Sequence, residues 1–163
     1  MMKDAARLAG FFGAHAIWSV HEGGALFPTL AYADSAGKMG TETLEEEDEE
    51  KAVRRGRTKL ANGAEGIARA VLVYDGTIDL DGEKTDALFL EARTYGEDAV
   101  AFMMAVPYRR AEAPGGFAVF RPKFLAIEGI EEKDLGMLSH AFFEGVENHD
   151  DGSVVWRAYS KTD

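Results

Sequence analysis

The chain has 163 residues, a formal net charge of −11, 46% apolar residues and no cysteine. That length suits one domain, residues 1–163, with core enough to stand without a metal or a disulfide. The missing thiols exclude disulfides, cysteine nucleophiles and thiolate metal sites, and the acidic balance opposes binding to nucleic-acid phosphates and anionic membrane surfaces.

Met2, Ala5, Ala6, Leu8, Ala9 and Phe12 recur at helical spacing, which predicts a helix over residues 2–12 that stops near Gly10 and Gly13. The start superficially resembles a signal peptide, but Asp4, Arg7 and His15 interrupt it and no small-residue cleavage site follows. "HAIWSV" (15–20) has strand composition, "HEGG" (21–24) is turn material, and "ALFPTLAYA" (25–33) predicts a second strand with Pro28 at an edge or bulge. A short strand follows at Met39–Thr43.

The segment "LEEEDEEKAVRRGRTKL" (44–60) runs from six consecutive acids to a cluster of cations. Thr43 is a candidate N-cap and Glu46 completes a capping box. Acids then lie toward the positive end of the helix dipole and cations toward the negative end. Val53, Gly56 and Leu60 make a thin apolar stripe, so this helix is expected on the surface with a narrow buried edge. Consecutive carboxylates on a helix radiate around it and do not converge on a metal.

"ARAVLVYDG" (68–76) and "DALFLEARTY" (86–95) are strands joined through Asp81–Gly82, a dipeptide suited to a tight hairpin turn. "AVAFMMAVPY" (99–108) is apolar on both faces and reads as a covered, central strand. "FAVFRPKFLAI" (117–127) is a further strand, with Pro122 placing it at an edge or bulge. Residues 131–150 form a helix with Leu135, Leu138, Phe142 and Val146 inward, and "SVVWRAY" (153–159) suggests a last short strand. The expected fold is α+β: a mainly antiparallel sheet of about six to seven strands with three helices packed on it, in the order α-β-β-α-β-β-β-β-α. In element order alone the chain resembles the profilin-like group, with its longin and PAS-type domains, and type III secretion chaperones, which are small, acidic and dimeric.

Residues with catalytic potential do not assemble into a known constellation. His15, His21 and Glu22 lack a compact metal-ligand spacing. Ser139 and His140 are consecutive on a helix and point about 100° apart. "DGTIDLDGEKTD" (75–86) imitates a calcium loop but places Thr77 and Leu88 at the two strongest ligand positions. Glu147, His149, Asp150 and Asp151 gather at a helix end, where acids oppose the dipole and a cation would relieve them.

The composition and motifs point to a cytoplasmic, bacterial, non-catalytic module that binds a protein partner or itself, with a homodimer preferred, and that uses no cofactor and no metal. The candidate binding residues are Trp18 and Phe27, able to pair across a hairpin, the basic patch Arg54, Arg55 and Arg57, and the aromatic residues Tyr74 and Tyr95. The alternative is a small-ligand sensor lined by Tyr74, Tyr95, Met103 and Met104. A hydrolase using His15 or His140 is the third reading.

Overall fold

Alternating apolar residues build one seven-stranded antiparallel sheet. The computed structural model describes residues 1–161. Helix α1 (Met2–Val20) precedes β1 (Thr29–Asp34), β2 (Met39–Thr43) and α2 (Glu49–Asn62). Then come β3 (Ile67–Leu80), β4 (Glu83–Thr94), β5 (Ala101–Arg109), β6 (Ala118–Val119) and β7 (Lys123–Glu128). Helices α3 (Leu135–Glu147) and α4 (Asp150–Tyr159) close the described chain. The strands lie in the order β2-β1-β3-β4-β5, and β6 and β7 follow each other along the outer side of β5.

The period of two in the strands sorts their side chains onto two faces. Val71 and Val73 of β3, Leu88 and Leu90 of β4, and Met104 and Val106 of β5 face α1, α3 and α4, where Ile17, Leu138, Phe142 and Trp156 complete the larger core. Leu72, Tyr74, Phe89 and Ala105 face the other way, with Leu44, Ala52 and Leu60 around α2. Each fully buried Leu or Phe contributes about 1.5–3 kcal/mol of transfer free energy, so both cores are needed to hold the sheet. Three helices cover one face and a single 14-residue helix covers part of the other.

The α+β class, the antiparallel sheet and its strand count match the sequence reading, but the described residues form four α-helices instead of three. Residues 15–20 continue α1 and are not a strand. Ala5, Ala9, Phe12, Ala16, Ile17 and Val20 form one unbroken buried stripe, which outweighs the local β propensity of "HAIWSV". Gly10 and Gly13 do not end the helix; they are buried contact points within it. Residues 153–159 belong to α4, because Gly152, Ser153 and Trp156 recur at helical spacing against α1. The predicted helix over 131–150 is a 3₁₀ turn (Glu132–Asp134) followed by α3.

Smaller shifts have local causes. Helix α2 is capped by Asp48, whose side chain accepts from Glu50 N–H at 2.9 Å, and not by Thr43, which ends β2. Pro28 precedes β1 and its carbonyl accepts from Leu44 N–H at 2.8 Å, so β1 lies inside the sheet between β2 and β3. The predicted strand 117–127 divides around Pro122 into β6 and β7. The hairpin turn is as expected: Asp81 and Gly82 both have positive φ, 52° and 84°.

Helix α1 meets its neighbours backbone to backbone. A Cβ on Gly10 would overlap the Phe142 carbonyl of α3, one on Gly145 the Arg7 carbonyl of α1, and one on Gly152 the Ala14 carbonyl. Gly10→Ala and Gly145→Ala should therefore each cost about 1–3 kcal/mol in urea unfolding. Gly136→Ala, at an open helical position, should be neutral or stabilising by up to about 1 kcal/mol. Equal effects at all three positions would contradict a close helix crossing.

Candidate functional site

The uncovered part of the sheet begins where α2 meets β3 and β4. Tyr74 is buried and stacked on Phe89, with ring centroids 5.4 Å apart. Its hydroxyl donates to Glu91 and accepts from Arg57 at 2.8 Å, while Arg57 reaches Glu91 at 2.9 Å. The register explains the grouping: Tyr74 opposes Phe89 and Leu72 opposes Glu91, so Tyr74 and Glu91 are diagonal neighbours on one face. Burial, with the Glu91 carboxylate beside it, pushes the Tyr74 hydroxyl well above the usual tyrosine range.

The cations of α2 turn toward strand and loop carboxylates more than along their own helix. Arg55 reaches Glu46 at 3.2 Å and Glu42 at 3.8 Å, and Lys59 reaches Glu42 at 2.8 Å. Only Glu49 and Glu50 of the acidic run lie in the helical first turn; Glu45–Asp48 form the approach to it. Arg54 is exposed on the same helix beside Glu50, Val53 and Tyr74. Tyr95 lies at the far end of α2, donating from its hydroxyl to the Leu60 carbonyl at 2.5 Å, with the Arg93 guanidinium 5.6 Å from its ring centre. The structure thus brings Arg57 and Tyr74 into direct contact and sets Tyr95 further along the same face.

Trp18 and Phe27 are not partners. Trp18 is on α1 and 41% exposed; Phe27 is in the connection to β1 and 53% exposed. No aromatic contact joins them among the described residues, because the hairpin that would have paired them is replaced by helix. Trp18 instead neighbours two histidines that are distant in sequence. His15 Nδ1 and His149 Nε2 are 3.1 Å apart, and Trp18 lies 5.7 Å from the His15 ring and 6.4 Å from the His149 ring.

His149 caps α4: its Nδ1 accepts from Gly152 N–H at 2.8 Å. That bond places the His149 proton on Nε2, where it donates to His15 Nδ1. The pair is a neutral hydrogen-bonded chain, and a metal at His149 Nε2 would need the proton that the cap puts there removed. Among the described residues no three His, Asp or Glu side chains converge in a metal-binding cluster. Asp150 and Asp151 do not oppose a dipole, since they open α4, where acids are favoured. His21 caps the end of α1 and contacts the Trp18 carbonyl through Nδ1 at 2.5 Å; Ser139 and His140 lie on α3, with His140 exposed.

A further polar group lies at the end of β5. Tyr108 donates to Asp75 at 2.8 Å, and Arg110 pairs with Asp75 at 2.9 Å and Asp86 at 3.1 Å. Burial and the hydrogen bond to Asp75 hold the Tyr108 proton far above the usual range. The signal was present in the hairpin: a two-residue turn at Asp81–Gly82 makes Asp86 oppose Thr77, so Asp75 and Asp86 share a face and require a cation. These bonds clamp the projecting β3–β4 arm to β5.

The two lateral edges of the sheet differ. On the β7 side, Pro122 precedes the strand, Lys123 lies on it, and Leu125 is an unpaired bulge between Phe124 and Ala126. The outer side of β6 is met by the chain itself, where Lys161 N–H donates to the Val119 carbonyl at 2.8 Å. Strand β2, "MGTET", has neither proline nor bulge. The Lys38 carbonyl and the Leu44 N–H both bond toward β1, so by alternation Met39, Thr41 and Thr43 turn their backbone groups outward. All three are exposed.

Comparison with protein-family models, curated proteins and solved structures finds no match. The resemblance in element order has no counterpart there, and the local geometry alone carries the functional reading.

Two titrations check this electrostatic picture. Partial burial and the facing His149 lower the His15 pKa. The stability tied to neutral His15 is complete above about pH 6.5 and is lost as pH falls below that value. Melting temperatures between about pH 7.5 and 5 should fall less steeply in His15→Gln than in the parent chain; parallel slopes would refute the linkage. At the alkaline end Tyr74, Tyr95 and Tyr108 all have raised pKa values. Their ultraviolet phenolate signal should be missing just above pH 10 and appear together with loss of near-ultraviolet circular dichroism. Full ionisation of every tyrosine in the folded protein would contradict the bonds described.

Proposed function

We propose that this protein is a non-catalytic binding module that associates with a second copy of itself through β2. The asymmetry of the sheet edges carries the reading. An open edge with unpaired N–H and C=O groups is a template for another strand, and folded proteins generally block such edges with proline, lysine and bulges. Here the β7 edge has those features and β2 lacks them.

The strand is also compatible with two-fold pairing. With Thr41 opposite its own copy, Met39 faces Thr43 and Glu42 faces Gly40, so no carboxylate is set directly against another. Within each chain Glu42 is neutralised by Lys59 and Arg55. The outward backbone groups of Met39, Thr41 and Thr43 then meet one another in register. A five-residue strand offers less than the roughly 1,200–2,000 Å² of a standard interface, so the dimer is weak and reversible. Two chains of net charge −11 repel, and added salt screens that repulsion.

Light scattering on a size-exclusion column tests the proposal from micromolar to millimolar protein. The mass should rise from 17.8 kDa toward twice that value with concentration, and the rise should begin earlier in higher salt. Thr41→Pro removes an outward N–H without breaking a bond to β1 and should hold the protein monomeric with unchanged circular dichroism. A constant 17.8 kDa mass, or a dimer insensitive to Thr41→Pro, would refute association through β2.

A further inference from the structure

The face of the sheet opposite α1 is only partly roofed. Helix α2 lies over β1 and β3, and between its C-terminal half and β7 an open groove of about 530 Å³ remains. Its walls include Leu60, Met103 and Ala126, and it falls in the usual size range of small-ligand sites. The strand register explains the space. Arg93 on the groove floor has Ala70 opposite it on β3 and Ala101 opposite it on β5, so a long side chain lies between two very short ones.

Arg93 is electrostatically unlike the other groove cation. Arg57 is neutralised by Glu91, whereas Arg93 has no carboxylate within ion-pair distance among the described residues. Its Nε is the one buried side-chain nitrogen or oxygen among the described residues that has no hydrogen-bond partner. Its guanidinium lies over the Tyr95 ring. A guanidinium without an acceptor gains from a carboxylate, whose geometry its planar fork matches; Nε itself is closed to solvent, so the terminal nitrogens are the ones an incoming carboxylate meets. Glu128 also lines the groove, but it opposes Ala101 and so lies two strands away from Arg93.

We infer that this groove is a binding site for a small apolar monocarboxylate, anchored through its carboxylate by Arg93 with its hydrocarbon body against Leu60, Met103 and Ala126. The charges lining the groove restrict the ligand to a single negative charge. Two arginines and two glutamates line the groove, so its formal charges cancel in number although Arg93 itself is in no ion pair, and a dianion would meet Glu128 without a second free cation. The Tyr95 ring supports the Arg93 guanidinium, and the Tyr95 hydroxyl donates to the Leu60 carbonyl. The site is separate from the β2 edge.

The test is calorimetric titration of the full chain with 3-phenylpropionate and hexanoate, each paired with its neutral amide. The carboxylates should bind and the amides should bind at least about tenfold more weakly, as expected for loss of a charge-assisted pair. Arg93→Met should abolish the preference for acid over amide, Arg93→Lys should weaken it, and Arg121→Met, outside the groove, should leave it unchanged. Amide nitrogen–proton NMR shifts from bound 3-phenylpropionate should cluster at Ala101, Met103 and Ala126. If Arg93→Met unfolds the chain, Arg93→Lys and the NMR map decide the matter. No binding by either acid, equal binding of acid and amide, or shifts clustered elsewhere would overturn the inference.

Discussion

The backbone contact of α1 with α3 and α4 is the constraint on which the rest of the structure depends. Gly10, Gly145 and Gly152 let main chains touch where any side chain would hold them apart. Three helices consequently lie as one close layer on a single sheet face, and the larger core is sealed beneath them. Only α2 remains for the opposite face. It is 14 residues long, while the sheet beneath it has seven strands. The open groove over β5 and β7 follows from that division of helices.

Electrostatics then determines how the sparse helix is held. The buried edge of α2 is Ala52, Gly56 and Leu60, too thin a stripe to supply much hydrophobic free energy. Its flanking cations compensate by reaching strands: Arg57 to Glu91 and Tyr74, Lys59 to Glu42. These half-exposed pairs contribute about 0–1 kcal/mol each, but together they orient the helix across β1 and β3. Arg93 stands outside this scheme, on the same face but beyond the reach of its carboxylates, and that is why its unmatched donor is informative.

The edges and the groove belong to different parts of the same asymmetry. The β7 side is protected by Pro122, Lys123 and the bulge at Leu125, yet its α2 face is bare. The β2 side has Glu42 tied to α2, yet its lateral backbone is bare. One side therefore offers a side-chain surface suited to a ligand, and the other a main-chain surface suited to a strand. Neither feature belongs to the histidine pair, whose hydrogen-bonded chain instead links α1 to the first turn of α4.

The hairpin at Asp81–Gly82, the strands of β3, β4 and β5, and the acidic start and basic finish around α2 were all legible in the sequence. Turn chemistry, strand alternation and helix-end charge act over a few residues and leave a local record. Of the candidate residues, Arg57 and Tyr74 are in direct contact; Glu91 is the diagonal neighbour of Tyr74 in the register that the hairpin sets, and only the packing of α2 brings Arg57 onto both. Residues 15–20 and 153–159 have strand composition because β-branched and aromatic residues favour a sheet locally, while the stripes that make them helical are buried against elements distant in the chain. His15 with His149, Arg110 with Asp75, and Ala101 beside Arg93 were likewise brought together only by tertiary structure. Short-range chemistry is written in consecutive residues, whereas a contact between separate elements depends on how every intervening element folds.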